Sequence, residues 1–250
     1  EKDLFVREKR KKYRHIREQR SNSKRGKKLT IEEARKRKFT SDWSSYRSPK
    51  PIRPGLKVFE DYPLYELISY IDWSPFFHAW ELKGKYPMIL KSKKYGVEAT
   101  KLFEDGQAML GKMVSEKLIK GKGVFGIYPA QSLNETVSTS EVDFHFPRQL
   151  VDKGINKTNY SLADFVAPED DWLGLFAVTA GHGGDELAKV FKAKNDDYSE
   201  IMVKLLADRL AEAFAERLHQ RVRMEYWGYS SNELLDNEGL IREKYRGIRP

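Results

Sequence analysis

The chain has 250 residues, with 46 Lys and Arg against 37 Asp and Glu, and no cysteine. Disulfides, thiolate metal centres and cysteine nucleophiles are therefore excluded, and a reducing compartment such as the cytoplasm fits. No apolar run approaches the roughly 18 residues of a membrane helix, and the basic start has no adjoining apolar signal core, so a soluble chain of one large or two small domains is expected.

The net charge of +9 is unevenly spread. Residues 1–55 hold 20 Lys and Arg against 7 Asp and Glu, whereas residues 56–250 hold 26 against 30. A mildly acidic body thus carries a basic arm. Such an arm suits a solvated helix or an acidic protein partner, and it lacks a recognisable nucleic-acid motif. Within it, EKDLFVREKRKKYRHIREQR reads as a charged helix with a thin stripe of Leu4, Phe5, Tyr13 and Ile16. Thr30 and Glu33 form a capping box for a second short helix. Residues 41–55, with three prolines, read as an extended strap on the surface.

Residues 64–70 begin as a helix, and Pro75 suits the first turn of the next, with Phe76, Phe77, Trp80 and Leu82 as core candidates. Asp72 lies among Tyr70, Trp73, Phe76 and Phe77. It has two readings: a helix cap, or a carboxylate facing a cationic or hydroxyl-bearing ligand. Residues 95–120 read as a helix with Ala99, Leu102, Phe103, Ala108, Met109 and Met113 inward, broken by Gly121-Lys122-Gly123. Val124–Pro129, Glu141–Phe146 and Trp172–Thr179 read as strands.

Ala180-Gly181-His182-Gly183-Gly184 leads into a helix over 185–194. Strand, glycine turn and helix invite a phosphate-loop reading, but neither the P-loop nor the dinucleotide spacing is met, so a flexible connector is expected. The longest helix is predicted over Asp196–Tyr229, with Asp197 and Ser199 as candidate N-caps. Val203, Leu206, Ala207, Leu210, Phe214, Leu218 and Val222 form its apolar stripe, while Asp208, Glu212 and Glu216 stand four apart on another face. Basic residues gather towards its end, where they suit the helix dipole. Residues 231–246 are predicted as a last helix.

No pair among the five histidines has metal-ligand spacing, and no serine lies in a nucleophile elbow. The residues alone therefore support an α+β domain with a basic arm and go no further.

A collinear set of short motifs carries more. Tyr70-Ile71-Asp72-Trp73-Ser74-Pro75-Phe76-Phe77 is followed by Trp80, Leu82 and Gly84-Lys85-Tyr86-Pro87; upstream stand Asp42-Trp43-Ser44 and Val58–Tyr62. Downstream come Pro129–Ser132, Leu173–Ala177, Asp197–Ser199, Asp208–Glu216 and Gly247-Ile248-Arg249-Pro250. In this order they resemble the C-terminal activation domain of cobalamin-dependent methionine synthase. The resemblance implies an α+β fold with a central antiparallel β-sheet flanked by helices, behind an N-terminal helical basic arm. It divides the chain into the arm and strap (1–55) and a binding domain (56–250), read as a fragment that stops short of the family's C-terminal part.

The implied function is S-adenosylmethionine binding in a shallow cleft that presents the methyl group to cobalamin held by a neighbouring domain. The methyl group restores methylcobalamin from cob(II)alamin, with one electron from flavodoxin or a diflavin reductase. Homocysteine methylation, and the zinc it uses, belong to other modules, so this segment alone is not expected to be catalytic. Matched motif by motif, Asp72, Glu212, Glu243 and Arg249 fall on ligand-binding positions. The chemistry suits the ligand: acids for its ammonium, sulfonium and ribose hydroxyls, a guanidinium for its carboxylate. The alternative function is a protein-interaction module that docks a flavodoxin-like reductase or the cobalamin domain through the basic arm.

Overall fold

The structure, a computed structural model, describes residues 2–22, 28–154 and 156–247. They form two compact units: residues 1–48 with 129–171, and residues 49–128 with 172–250.

In the first unit, α1 (Lys2–Asn22) is followed by α2 (Ile31–Arg35). The capping box of α2 is present: Thr30 Oγ1 accepts from Glu33 N at 3.2 Å, and Thr30 N donates to Glu33 Oε2 at 2.8 Å. The apolar stripe of α1 is open, with Leu4 64%, Phe5 59% and Tyr13 56% exposed. The end of β2 (Lys120–Leu133) pairs antiparallel with β3 (Thr136–Thr139), and β3 with β4 (Asp143–His145). The predicted strand 141–146 is thus three residues long, and its partner β3 went unpredicted because it is polar and its turn, with Asn134 at φ 54°, carries no glycine. Arg148, with its side chain wholly buried, joins Asp164 at 2.6 Å and Glu135 at 2.7 Å, and Arg35 reaches Glu135 from outside at 2.6 Å.

The second unit holds the main core. The antiparallel sheet is flanked here by helices: β1 (Gly55–Tyr62) pairs with the start of β2, and β5 (Asp171–His182) also pairs with β2. Helices α4 (Gly96–Ser115), α5 (Gly184–Lys192) and α6 (Asp197–Arg221) pack in the same unit. Val203, Leu206, Leu210, Phe214 and Leu218 of α6 are all buried, so the apolar stripe packs as its periodicity demands. Each such side chain contributes about 1.5–3 kcal/mol on burial.

Four expectations change. Helix α4 ends at Ser115, and Lys117 turns left-handed at φ 51°. Gly121 and Gly123 lie inside β2 rather than breaking the helix, because a Cβ would meet Leu64 Cδ2 at 2.9 Å or Phe214 Cζ at 2.7 Å. On α4 itself, Gly106 and Leu110 are buried while Ala108 is exposed. The connector at Gly183 is tight rather than flexible: its φ is +91°, and a Cβ would strike Leu118 O at 2.7 Å.

The long helix starts at Asp197, and neither candidate cap, Asp197 or Ser199, caps it. Asp196 is its cap, with Oδ1 accepting from Ser199 N at 3.0 Å. At Val222–Tyr226 it widens into a π-turn, closed by Trp227 N donating to Val222 O at 2.8 Å. Residues 52–53 of the strap are pinned here, Arg53 N donating to Tyr226 O at 2.8 Å. The last helix, α7, is only Asn237–Ile241, capped by Asp236 Oδ1 on Gly239 N at 2.8 Å.

Candidate functional site

Asp72 sits in the turn between a 3₁₀ segment (Leu64–Tyr70) and α3 (Ser74–Ala79). Ile71 and Trp73 are buried on either side, which leaves the carboxylate half-exposed between two anchored neighbours. Its Oδ1 accepts from Ser74 N at 2.9 Å, an N-terminal cap of α3, and Oδ2 remains for another donor. The two readings of Asp72 are therefore compatible. Ile71 and Trp73 line a cavity of about 340 Å³ together with Tyr86, Phe103 and Asn237. Asn237 Nδ2 donates to Ile71 O at 3.3 Å, tying the start of α7 to the Asp72 turn.

Glu212 is exposed on α6. Glu216, His219 and Arg223 follow it at steps of four, three and four, so the helix period places all four on one face. The far end of that face is covered by the segment after α7. Tyr245 meets the His219 ring edge-on at 5.0 Å, and the Arg223 guanidinium lies 4.1 Å from the Tyr245 ring centroid. Glu243, two residues before Tyr245, is exposed in a left-handed turn at φ 54°. Phe176 of β5 stacks on His219 at 6.3 Å, and burial pushes the Tyr229 phenol up nearby.

Two of the four predicted site residues, Glu212 and Glu243, thus belong to segments that meet along α6, and Asn237 links Asp72 to the same C-terminal segment. Arg249 lies outside the described residues. The remaining acids of the α6 face differ from one another: Asp208 pairs with Arg209 at 2.6 Å, and Glu216 is partly buried. Sequence reasoning did not find Arg223, His219, Phe176 or Tyr245. Their partners lie 10 to 43 positions away in the chain, beyond any local spacing rule. Among the described residues no group of three His, Asp or Glu is placed to hold a metal ion.

A second cavity, of about 460 Å³, is lined by Trp80, Leu82, Asp105 and Tyr198. Tyr198 donates to Asp105 Oδ2 at 2.9 Å, and burial and then Asp105 push its phenol up to about 12.

Comparison with known proteins decides the family. Residues 63–250 match the family described as vitamin B12 dependent methionine synthase, activation domain. The chain belongs to this activation-domain family. A solved structure described as the MetH reactivation domain bound to AdoHcy is 47% identical, and the match covers 89% of this chain and 72% of that one, with a TM-score of 0.86. The matched activation-domain region contains Asp72, Glu212, Glu243 and Arg249, and it takes in nearly the whole second unit. No helix of the described residues is long and apolar enough to cross a membrane.

Proposed function

We propose that this activation domain binds S-adenosylmethionine and serves the reductive remethylation of cobalamin in a cytoplasmic methionine synthase. The observation that carries the reading is the 47% identity, over 89% of the chain, to a reactivation domain solved with AdoHcy, the demethylated form of that ligand. The donor set fits. Asp72 Oδ2 and the exposed carboxylates of Glu212 and Glu243 offer acceptors for an ammonium, a sulfonium and ribose hydroxyls, and Arg249 offers a fork for the ligand carboxylate. Asp72 is held by its own cap and by two buried neighbours, so its charge is presented in a fixed place at little entropic cost.

Bound S-adenosylmethionine supplies the methyl group, while the cobalamin belongs to a neighbouring domain and the electron comes from flavodoxin or a diflavin reductase. The basic arm supports a docking role alongside: α1 exposes Leu4, Phe5 and Tyr13 among Lys and Arg, which suits an acidic protein surface.

The test is recovery of full-length enzyme from the cob(II)alamin state, followed by absorbance at varied S-adenosylmethionine. Glu212→Gln is expected to raise the concentration needed for half-maximal recovery by about tenfold, the loss of one charge-assisted contact. Asp208→Asn is expected to leave it unchanged. Equal behaviour of both variants and wild type contradicts the assignment.

A further inference from the structure

Arg223 has no place in the binding set above, yet it holds the segment on which that set depends. Its side chain is wholly buried, as is nearly all of Glu233, which is 4% exposed. The guanidinium meets both carboxylate oxygens: Nε donates to Oε2 at 2.7 Å and Nη2 to Oε1 at 2.5 Å. On its face lies Tyr245, at 4.1 Å to the ring centroid. The backbone is tied as well, Ser230 N donating to Arg223 O at 3.0 Å. Nη1 is buried and has no acceptor among the described residues; of these, Glu233 and Tyr245 fix the plane of the group.

The clamp sits where the helix stops being regular. In the π-turn, Trp227 N reaches back five residues to Val222 O, and Arg223 and Tyr226 within it are both buried. Three parts of the chain then converge on Tyr245 and Arg246. His219 of α6 meets Tyr245 edge-on, Arg223 lies beneath it, and Arg246 Nη1 donates to Tyr229 O at 3.2 Å. Tyr245 stands two residues after Glu243 and four before Arg249.

A buried ion pair is a poor device for stability alone, since apolar side chains of the same volume commonly do as well. What the bidentate fork adds is orientation. We infer that Arg223, with Glu233, is a positioning pair for the S-adenosylmethionine site. It sets where Tyr245 lies against α6, and hence where Glu243 stands relative to Glu212. The pair touches no ligand itself. The inference rests on the assignment of Glu212, Glu243 and Arg249 to that site.

The experiment is a double-mutant cycle on full-length enzyme, read as the Kd for S-adenosylhomocysteine by calorimetry. Arg223→Lys keeps the charge and loses the fork, and Glu233→Gln removes the charge partner. Tyr245→Leu keeps the buried ion pair intact and serves where the other two unfold. Each is combined with Glu243→Gln. A positioning role predicts that each clamp variant weakens binding by about tenfold or more, the scale on which a small misplacement acts. It also predicts that Glu243→Gln, costly in the wild-type background, costs little more once the clamp is gone. Folded clamp variants that bind within about twofold of wild type, or losses that simply multiply, overturn the inference. Wild-type protein that fails to bind overturns the ligand assignment and this inference together, whereas wild-type binding with indifferent clamp variants overturns this one alone.

Discussion

At the scale of single residues, Phe214 and Asp72 show how packing and function are divided. Phe214 is fully buried, packs at a tilt against Tyr62 with ring centroids 4.3 Å apart, and fills the space left by Gly123. Phe214→Ala should cost about 3–5 kcal/mol, and Gly123→Ala about 1–3 kcal/mol through overpacking, both measured by urea unfolding. The apolar identity of Phe214 was legible from its period along the helix, but the need for glycine at 123 was not, since it arises from a ring 91 positions away. Asp72 carries a cap and a candidate ligand contact on different oxygens. Asp72→Asn keeps the cap and removes the charge, so stability should stay within about 0.5 kcal/mol. S-adenosylmethionine affinity should fall by tenfold or more, in line with a charge-assisted bond of about 1.5–3 kcal/mol. Asp72→Ala mixes the two effects and is the less informative change.

At the scale of elements, local signals were readable and distant ones were not. The Thr30–Glu33 box, Pro75 in the first turn of α3 and the stripe of α6 are patterns within a few residues, and each formed as expected. The helix predicted over 231–246 shortens to Asn237–Ile241: the stretch is rich in helix formers, but Arg223 holds Glu233 and Tyr245 outside it through tertiary contacts. Likewise β3 is set by pairing with β4 and not by its own composition. In the first unit, buried Arg148 joins Glu135 and Asp164; Arg148→Met leaves the nearly buried Asp164 without its ion-pair partner, while Glu135 keeps Arg35, and should destabilise by about 3–5 kcal/mol. The hydrogen bond from Arg35, aided by Arg148, holds Glu135 below the ordinary glutamate value of 4.5. A depressed folded value means the stabilisation is complete above about 4.5 and is lost as pH falls through the lower value. Arg35→Gln, which removes the largest cause, should therefore raise the midpoint of acid unfolding, as followed by circular dichroism. A midpoint unmoved or lowered argues against this pairing.

At the scale of the whole molecule, charge and apolar side chains are exposed side by side on the N-terminal helix. Helix α1 leaves Leu4, Phe5 and Tyr13 open, so removing residues 1–22 should leave the unfolding of the remainder nearly unchanged. Binding of an acidic protein partner should weaken on that removal and also with rising salt, because exposed charges are screened over about 8–10 Å. The α+β class and the main core were legible from periodicity, and the family from motifs in order; how the C-terminal segment folds against α6 was not, because no local rule carries it. The central claim is that this segment, α6 and the Asp72 turn together bind S-adenosylmethionine. Its most direct test is calorimetric titration of full-length enzyme with S-adenosylmethionine, wild type against Asp72→Asn and Arg249→Ala. The account predicts saturable one-site binding in the wild type, weakened at least tenfold by each substitution; no heat of binding, or binding indifferent to both changes, would contradict it.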